Sequence, residues 1–392
     1  MEIRKIEDFK EMTRIQQMAY ASSFDGSKEE IDKVKEIYKE LVAEGDIIAY
    51  GAYEKDLLGC LLYYNFQTNF HGNMIHTGGI GSLAVDLLHK KKHVAYELIT
   101  ASLEKAKSEG ADLFYLYPFN TRFYRKFGFG YGSPVYTYCI RPEDFMDQGD
   151  RSLLAYGYEE DYELIFNYYN DFASKHNGMS LLTSGCKRRI NKKKKGKLLI
   201  ARDNDTIIGY MVFTINGIDV DNHQAQKIHV HEMLYNQKAL KAFASFFYAQ
   251  KDQVSYIQLP SHDDRLHHIL ADTYFARKAE TQDFISLKVA DKSIGLMPLA
   301  LNPQNLLDRL EAPDKCIVFH ISHLKKETEL AKIGKGKKLD IGLTINDFSS
   351  WVTGAITLSE LDELGRLDTS YDDLRSLDKH FYFDKPKSIS TF

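Results

Sequence analysis

Two short stretches in the first third of the chain hold side chains whose type and spacing could do chemistry. In residues 80–105, an apolar strand ending Leu83-Ala84-Val85 is followed by the basic turn His89-Lys90-Lys91-Lys92 and by a helix opening near His93. A helix N-terminus presents unpaired N–H groups and the positive end of its dipole, which suits an anion such as a pyrophosphate. A lysine run alone reads as a solvated turn; its place at a strand-to-helix junction gives it the second meaning. The other stretch is YLYPFNTRFYRKFGFGYG (115–132), a buried strand, a turn and a short helix carrying Tyr124. A phenol of pKa ~10 stays protonated at neutral pH and can hand its proton to a leaving group. The chain has 25 tyrosines, and most of them must pack rather than react.

Other motifs point to less. Gly79-Ile80-Gly81-Ser82-Leu83-Ala84 fits the G-x-G-x-x-A dinucleotide pattern, but the strand runs on through Val85 and no helix opens there. The glycines read instead as a strand bulge that splays two strands. His229 and His231 share a strand face, and His262, His267 and His268 cluster, yet neither set has a Cys or acidic ligand at a recognised spacing, so no metal is expected. The run Lys192–Lys195 reads as a solvated connection.

The elements that must position the two stretches follow from periodicity. A strand at 2–7 and a helix at 8–23 open the chain, and a second helix at 27–45 starts with Ser27 as cap and Glu30 three residues on. Strands at 46–55, 57–70 and 73–85 precede an amphipathic helix at 93–110, a buried strand at 112–119, a short helix at 121–128 and a strand at 134–141. The pattern lapses at 146–152, and the order then partly repeats: helix 161–176, strands 197–203 and 206–215, helix 239–253, strand 255–260. From 285 onward shorter elements take over, and the tail HFYFDKPKSISTF (380–392) is aromatic at both ends, as a docked segment would be. Three domains are expected, at 1–148, 149–284 and 285–392.

Composition agrees. At 392 residues the chain exceeds an ordinary domain of ~100–200 residues, and its 44% apolar residues supply several cores. A net charge of −4 with interspersed signs argues against nucleic-acid binding through a basic surface. The N-terminus lacks a signal-peptide core, and stretches such as 57–64 are far shorter than the ~20 apolar residues of a membrane helix. Cys60, Cys139, Cys186 and Cys316 are widely spaced, as free thiols of a reducing, cytoplasmic compartment would be.

The strand, turn and FYRKFGFG of residues 115–130 resemble the pattern of GNAT acetyltransferases, in which a tyrosine sits beside the sulfur of coenzyme A. With the three-module length and the terminal phenylalanine, the chain looks like a member of the enhanced intracellular survival (Eis-like) acetyltransferase family. That resemblance implies an α+β fold of two GNAT-type mixed-sheet domains in tandem, then a sterol-carrier-protein-like α/β domain whose tail reaches the active site. It implies acetyl-CoA as co-substrate, held by the first GNAT unit alone, a small-molecule or lysine-type primary amine as acceptor, and a homo-oligomer, trimer or hexamer. Carried over position by position, the backbone of Leu83, Ala84 and Val85 would pair with the pantetheine arm. Lys91, Lys92, His93, Val94, Ala95 and Tyr96 would hold the pyrophosphate, with Phe119 and Asn120 flanking the cofactor. Tyr124 would be the general acid and the carboxylate of Phe392 the general base, while Phe24 and Asp25 could line the amine pocket. The family's phosphate loop reads Q/R-x-x-G-x-G/A; here Lys90 stands first, Ala95 last, and His93 sits where glycine is usual. A second function class stays open on the residues: a non-catalytic ligand- or partner-binding protein whose GNAT scaffold has lost its cofactor.

Overall fold

A computed structural model describes residues 1–21, 27–43, 45, 47–182, 196–217, 226–272, 289–323 and 328–387. The chain begins with β1 (Glu2–Lys5), α1 (Phe9–Ala19), α2 (Lys28–Ala43), β2 (Ile47–Tyr53), β3 (Leu57–Phe70), β4 (Asn73–Val85), α3 (Val94–Ser108), β5 (Leu113–Leu116) and α4 (Thr121–Arg125). Asp8 caps α1 by accepting from the Lys10 N–H at 3.0 Å, and Phe9, Met12, Ile15 and Gln16 form one buried stripe. Ser27 caps α2, its Oγ accepting from the Glu30 N–H at 3.1 Å as the spacing predicts.

Then follow β6 (Pro134–Ile140), β7 (Leu154–Gly157), α5 (Tyr162–Ser174), β8 (Lys197–Asp203), β9 (Thr206–Gly217), β10 (Gln226–Tyr235), α6 (Gln237–Tyr248) and β11 (Val254–Ser261). The last part holds β12 (Asp291–Ile294), β13 (Met297–Ala300), α7 (Pro303–Leu307), β14 (Cys316–Ser322), β15 (Thr328–Ile333), β16 (Lys338–Thr344), α8 (Ile345–Val352), α9 (Leu358–Glu363) and α10 (Leu374–His380). These strands form three sheets, ordered β1-β2-β3-β4-β5-β13, β12-β6-β11-β10-β9-β8-β7 and β15-β14-β16.

The sheets do not divide the chain where the expected domains do. β6, read from sequence as the last strand of a unit ending at 148, lies in the second sheet, antiparallel to β11 from Ile257↔Ile140 to Ser261↔Tyr136. The free edge of β5 is taken instead by β13, from beyond residue 284, with Met297 opposite Leu116. Alternation identifies a strand but not its sheet, because partner choice is a tertiary matter. One buried cluster accordingly runs without a break from Ile6 through Phe114 to Trp351 and Phe381. The second sheet is covered on both faces. Along β8, Leu199 and Ala201 belong to one core while Leu198 and Ile200 belong to the other, the two-residue alternation of a strand.

The three units meet at the β3–β4 turn. His71 stacks on Phe383 of the tail with ring centroids 4.0 Å apart, and its Nε2 donates to the Val352 carbonyl at 2.8 Å. Burial depresses the imidazole to about 4, against smaller upward pulls from Val352 and Asp384. The fold thus holds His71 neutral, whereas the unfolded chain takes up a proton below ~6.5. The stability His71 contributes is complete above pH ~6.5 and is lost as the pH falls toward 4, in total on the order of 3 kcal/mol. Urea midpoints at pH 7 and 4.5 should therefore lie further apart for the native chain than for His71→Asn, a substitution that tolerates the local φ of +49°. Equal separations would contradict this.

Candidate active site

The cleft is made by two parallel strands that part company. β4 pairs with β5 only from Thr77↔Leu113 to Ile80↔Leu116, and β4 then runs five residues further, to Val85. The parting coincides with a bulge. Cys60 faces Ala84 and Leu62 faces Gly81, so Ser82 and Leu83 together oppose Leu61, with Ser82 at φ +53°. The bulge expected from Gly79 and Gly81 is present, placed at the residues just after them.

Helix α1 holds the bulge. Gln16 Nε2 donates to the Ser82 carbonyl at 3.3 Å, the Tyr20 hydroxyl donates to the Leu83 carbonyl at 2.5 Å, and Tyr38 donates to Gln16 Oε1 at 2.5 Å. Burial pushes the Tyr20 phenol up to about 12. Sequence reading missed Tyr20. Its one signal was a hydroxyl-bearing ring one helical turn beyond a glutamine, which 25 tyrosines make easy to overlook.

Tyr124 stands at the mouth of the same parting. Asn120 caps α4, its Oδ1 accepting from the Phe123 N–H at 3.1 Å, which turns the helix so that Tyr124 is buried against Phe119, Phe123 and Phe129 at 5.4, 5.2 and 6.2 Å. Burial, and next the neighbouring Tyr20, push its phenol well above the usual range. The glycines of FYRKFGFG have local causes. Gly128 has φ +99°, and a β-carbon on Gly130 would lie 2.4 Å from the Asn346 carbonyl oxygen of α8. Asn346 also donates to the carbonyls of Arg125 and Phe129, at 2.9 and 2.8 Å, so the third unit fixes the turn behind Tyr124.

The basic turn lies at the other end of the parted strand. Lys91 and His93 have φ of +68° and +61°, and His93 caps α3 without any side-chain hydrogen bond to the helix. Left-handed residues in such a turn gather successive N–H groups into an anion-binding concavity, and the leading N–H groups of α3 add to it. Lys90, Lys91, Lys92 and His93 are all exposed. Lys92 Nζ donates to His89 Nδ1 at 3.3 Å. Tyr96, exposed in the first turn of α3, packs its ring 5.1 Å from Phe127, and Phe127 lies 5.4 Å from Phe123. An aromatic row thus links the turn to the Tyr124 helix.

His93 occupies a conformation that costs an L-residue ~1–2 kcal/mol, of which glycine's extra chain entropy would return ~0.5–1. His93→Gly should therefore raise stability by up to about 1 kcal/mol, read from thermal unfolding, with anion binding at the turn no weaker. A clear loss of stability would show that the imidazole makes an interaction of its own.

Leu83 and Ala84 are buried at the end of β4, Val85 and Ala95 are half-buried, Val94 is buried, and Phe119 and Asn120 are exposed at the mouth. Phe119, Asn120 and Tyr124 stand together at the start of α4, with Tyr124 near Tyr20, whose hydroxyl reaches the Leu83 carbonyl, and the turn of Lys91–Tyr96 follows the end of β4. Phe24, Asp25 and Phe392 lie outside the described residues, as do Cys186 and Lys192–Lys195. Cys60 is fully buried, with its thiol pushed up to about 12.

The second unit repeats the parting without the turn. β10 and β11 pair only to His229↔Gln258, and β10 runs on through its own bulge to Tyr235. The next helix, α6, is capped by its own residue: Asn236 Oδ1 accepts from the Ala239 N–H at 2.9 Å. A cavity of about 420 Å³ lies at this second parting, lined among others by Tyr117, Glu232, Asp263 and Lys387. The histidines here are engaged locally: His229 with Gln258, His231 with Thr214 and His262 with the Pro134 carbonyl. Among the described residues no group of three or more His, Cys, Asp or Glu side chains could hold a metal ion, and no helix is long and apolar enough to cross a membrane.

Residues 2–132 match an acetyltransferase (GNAT) domain family, residues 184–288 a second such family, and residues 308–389 a sterol carrier protein domain family. No curated protein matches the sequence. Among solved structures the whole chain is similar to a GCN5-related N-acetyltransferase from Anabaena variabilis, with a TM-score of 0.78 at 17% identity over 100% of both chains. It is similar to another from Kribbella flavida, with a TM-score of 0.74 at 15% identity over 100% of this chain and 98% of that one. The Eis protein of Mycobacterium abscessus gives a TM-score of 0.74 at 16% identity, again over 100% of both chains. At such identities the likeness is one of fold. The chain is built, then, from two GNAT acetyltransferase domains followed by a sterol carrier protein domain.

Proposed function

We propose that the protein is an acetyl-CoA-dependent N-acetyltransferase of the Eis-like type, acting on a primary amine. One observation carries the reading: behind the bulged parting of β4 from β5 lies a helix N-terminus with no side-chain cap and three lysines, and at its mouth lies a buried phenol. The turn of Lys91–Tyr96 holds the pyrophosphate, and the end of β4 at Leu83–Val85 lies along the pantetheine arm. The amine nitrogen attacks the thioester carbonyl, forming a C–N bond, and the collapse of the tetrahedral intermediate breaks the C–S bond. Tyr124 gives its proton to the leaving sulfur, and the carboxylate of Phe392 accepts the proton lost by the amine. Burial keeps the Tyr124 phenol protonated, so the proton is in place to be given as the sulfur leaves.

The test is release of free coenzyme A thiol from acetyl-CoA across a panel of primary amines. The reading expects release that depends on the amine and saturates with it. If acetyl-CoA raises the melting temperature but no amine releases thiol, the protein binds the cofactor without catalysis.

A further inference from the structure

The second GNAT unit keeps an open cleft but not the means to hold a pyrophosphate. β10 and β11 stop pairing after His229↔Gln258, β11 goes on along β6 to Ser261↔Tyr136, and the cavity of about 420 Å³ lies at this parting. Small-molecule sites commonly enclose ~300–1,000 Å³. The residues that lead into α6, His231–Tyr235, carry no lysine, and Asn236 closes the helix, so a ligand here has to be recognised by the walls of the cavity itself.

Those walls are flat and largely apolar on one side. His176 stacks on Phe172 with ring centroids 3.8 Å apart, and its Nδ1–H donates to the Phe172 carbonyl at 2.7 Å. Burial lowers the imidazole, which is therefore neutral at pH 7. Tyr117 and Tyr235 add further ring surface. Walls of this kind suit a flat, apolar body.

Four side chains that carry charge at neutral pH also line the cavity, and three are already engaged. Glu232 accepts from the Tyr210 hydroxyl, while Asp263 accepts from Arg265 Nε at 2.8 Å and from its Nη2 and backbone N–H at 2.9 Å each. The fourth is Lys387. It is half-buried, and its ammonium has neither a hydrogen bond nor an ion pair among the described residues. Its backbone is fixed by buried Asn177, whose carbonyl accepts from the Lys387 N–H at 2.7 Å and whose side-chain amide donates to the Asp384 carbonyl, also at 2.7 Å. Burial holds the ammonium below the usual lysine value, with smaller and opposite pulls from Asp263 and Arg265. A partly desolvated cation without a direct counter-ion is an unmet demand, and a ligand carboxylate meets it with charge-assisted hydrogen bonds. A dianion fits less well, because Glu232 and Asp263 already put two negative charges in the same walls.

We propose that the cleft of the second unit is a binding site for a small organic monocarboxylate with a flat apolar body, its carboxylate on Lys387 and its body against Tyr235 and the Phe172–His176 stack. The site is independent of the reaction proposed for the first unit. Phenylacetate, its neutral counterpart phenylacetamide and inorganic phosphate, each titrated calorimetrically into the full chain without acetyl-CoA, test it. Phenylacetate should bind at one site per chain with a Kd below ~1 mM, at least tenfold tighter than either of the others. Lys387→Met keeps the apolar stem and removes the charge, and should weaken phenylacetate at least tenfold at an unchanged melting temperature. Val135→Phe narrows the cavity from β6 and should weaken it as well. Absence of phenylacetate binding at millimolar concentration, phenylacetamide or phosphate binding as tightly, or phenylacetate affinity unchanged in Lys387→Met would each overturn the proposal. If Lys387→Met does not fold, Val135→Phe decides alone, with unchanged affinity overturning the site and a loss supporting it.

Discussion

Tyr124→Phe is expected to lower kcat by ~10²–10⁴ while acetyl-CoA affinity stays within about twofold of native. The ring is buried among Phe119, Phe123 and Phe129, so phenylalanine keeps the packing and removes only the hydroxyl. The phosphate turn at the far end of β4 is untouched. Because burial and the nearby Tyr20 raise the phenol, it stays protonated across the working range, and no alkaline fall in rate below pH ~10 should trace to it. Turnover equal to the native protein's would take Tyr124 out of the mechanism. Tyr20→Phe, which frees the Leu83 carbonyl at the bulge, is the natural control, since the two phenols are neighbours.

The second large effect concerns the end of the chain. Adding one glycine after Phe392 keeps the ring, moves the charge by ~3.5 Å, and is expected to cost ~10²-fold in kcat at saturating amine. A free α-carboxylate of pKa ~3.5 is a weak base for an ammonium of ~10.4, so the transfer needs help. Desolvation raises the carboxylate and lowers the amine, and a bridging water can relay the proton. Melting temperature and acetyl-CoA affinity should hold. Full turnover in the extended protein would show that the carboxylate is not the base.

What the sequence discloses depends on the range of the interactions concerned. The α2 cap at Ser27, the long helix after the basic turn and the repeat of strand and helix order are local or periodic signals, and each is present in the structure. The crossing of β6 and β13 between sheets is not local. Pro134–Ile140 alternates like any half-buried strand, and only the free edges of β5 and β11 decide where it pairs. At the site, the buried strand, turn and short helix that carry Tyr124 were legible as local elements, whereas the phenol stood out only through the family resemblance. Tyr20 was not legible, since its meaning comes from a carbonyl 63 residues away. Asn177 is plainer still in sequence, a lone amide after a helix, and its side chain bonds His71, 106 residues before it, and Asp384, 207 after it. His93 is the reverse case. Its departure from the glycine pattern was visible, and the left-handed backbone shows why glycine is usual there.

Calorimetric titration of the intact chain with acetyl-CoA tests the assignment of the cofactor to the first unit most directly. One site per chain is expected, with affinity lowered at least tenfold in Lys91→Glu/Lys92→Glu, because among the described residues the turn before α3 sets lysines beside open N–H groups, while α6 is closed by Asn236. Two sites per chain, no binding at all, or binding indifferent to that double charge reversal would contradict it.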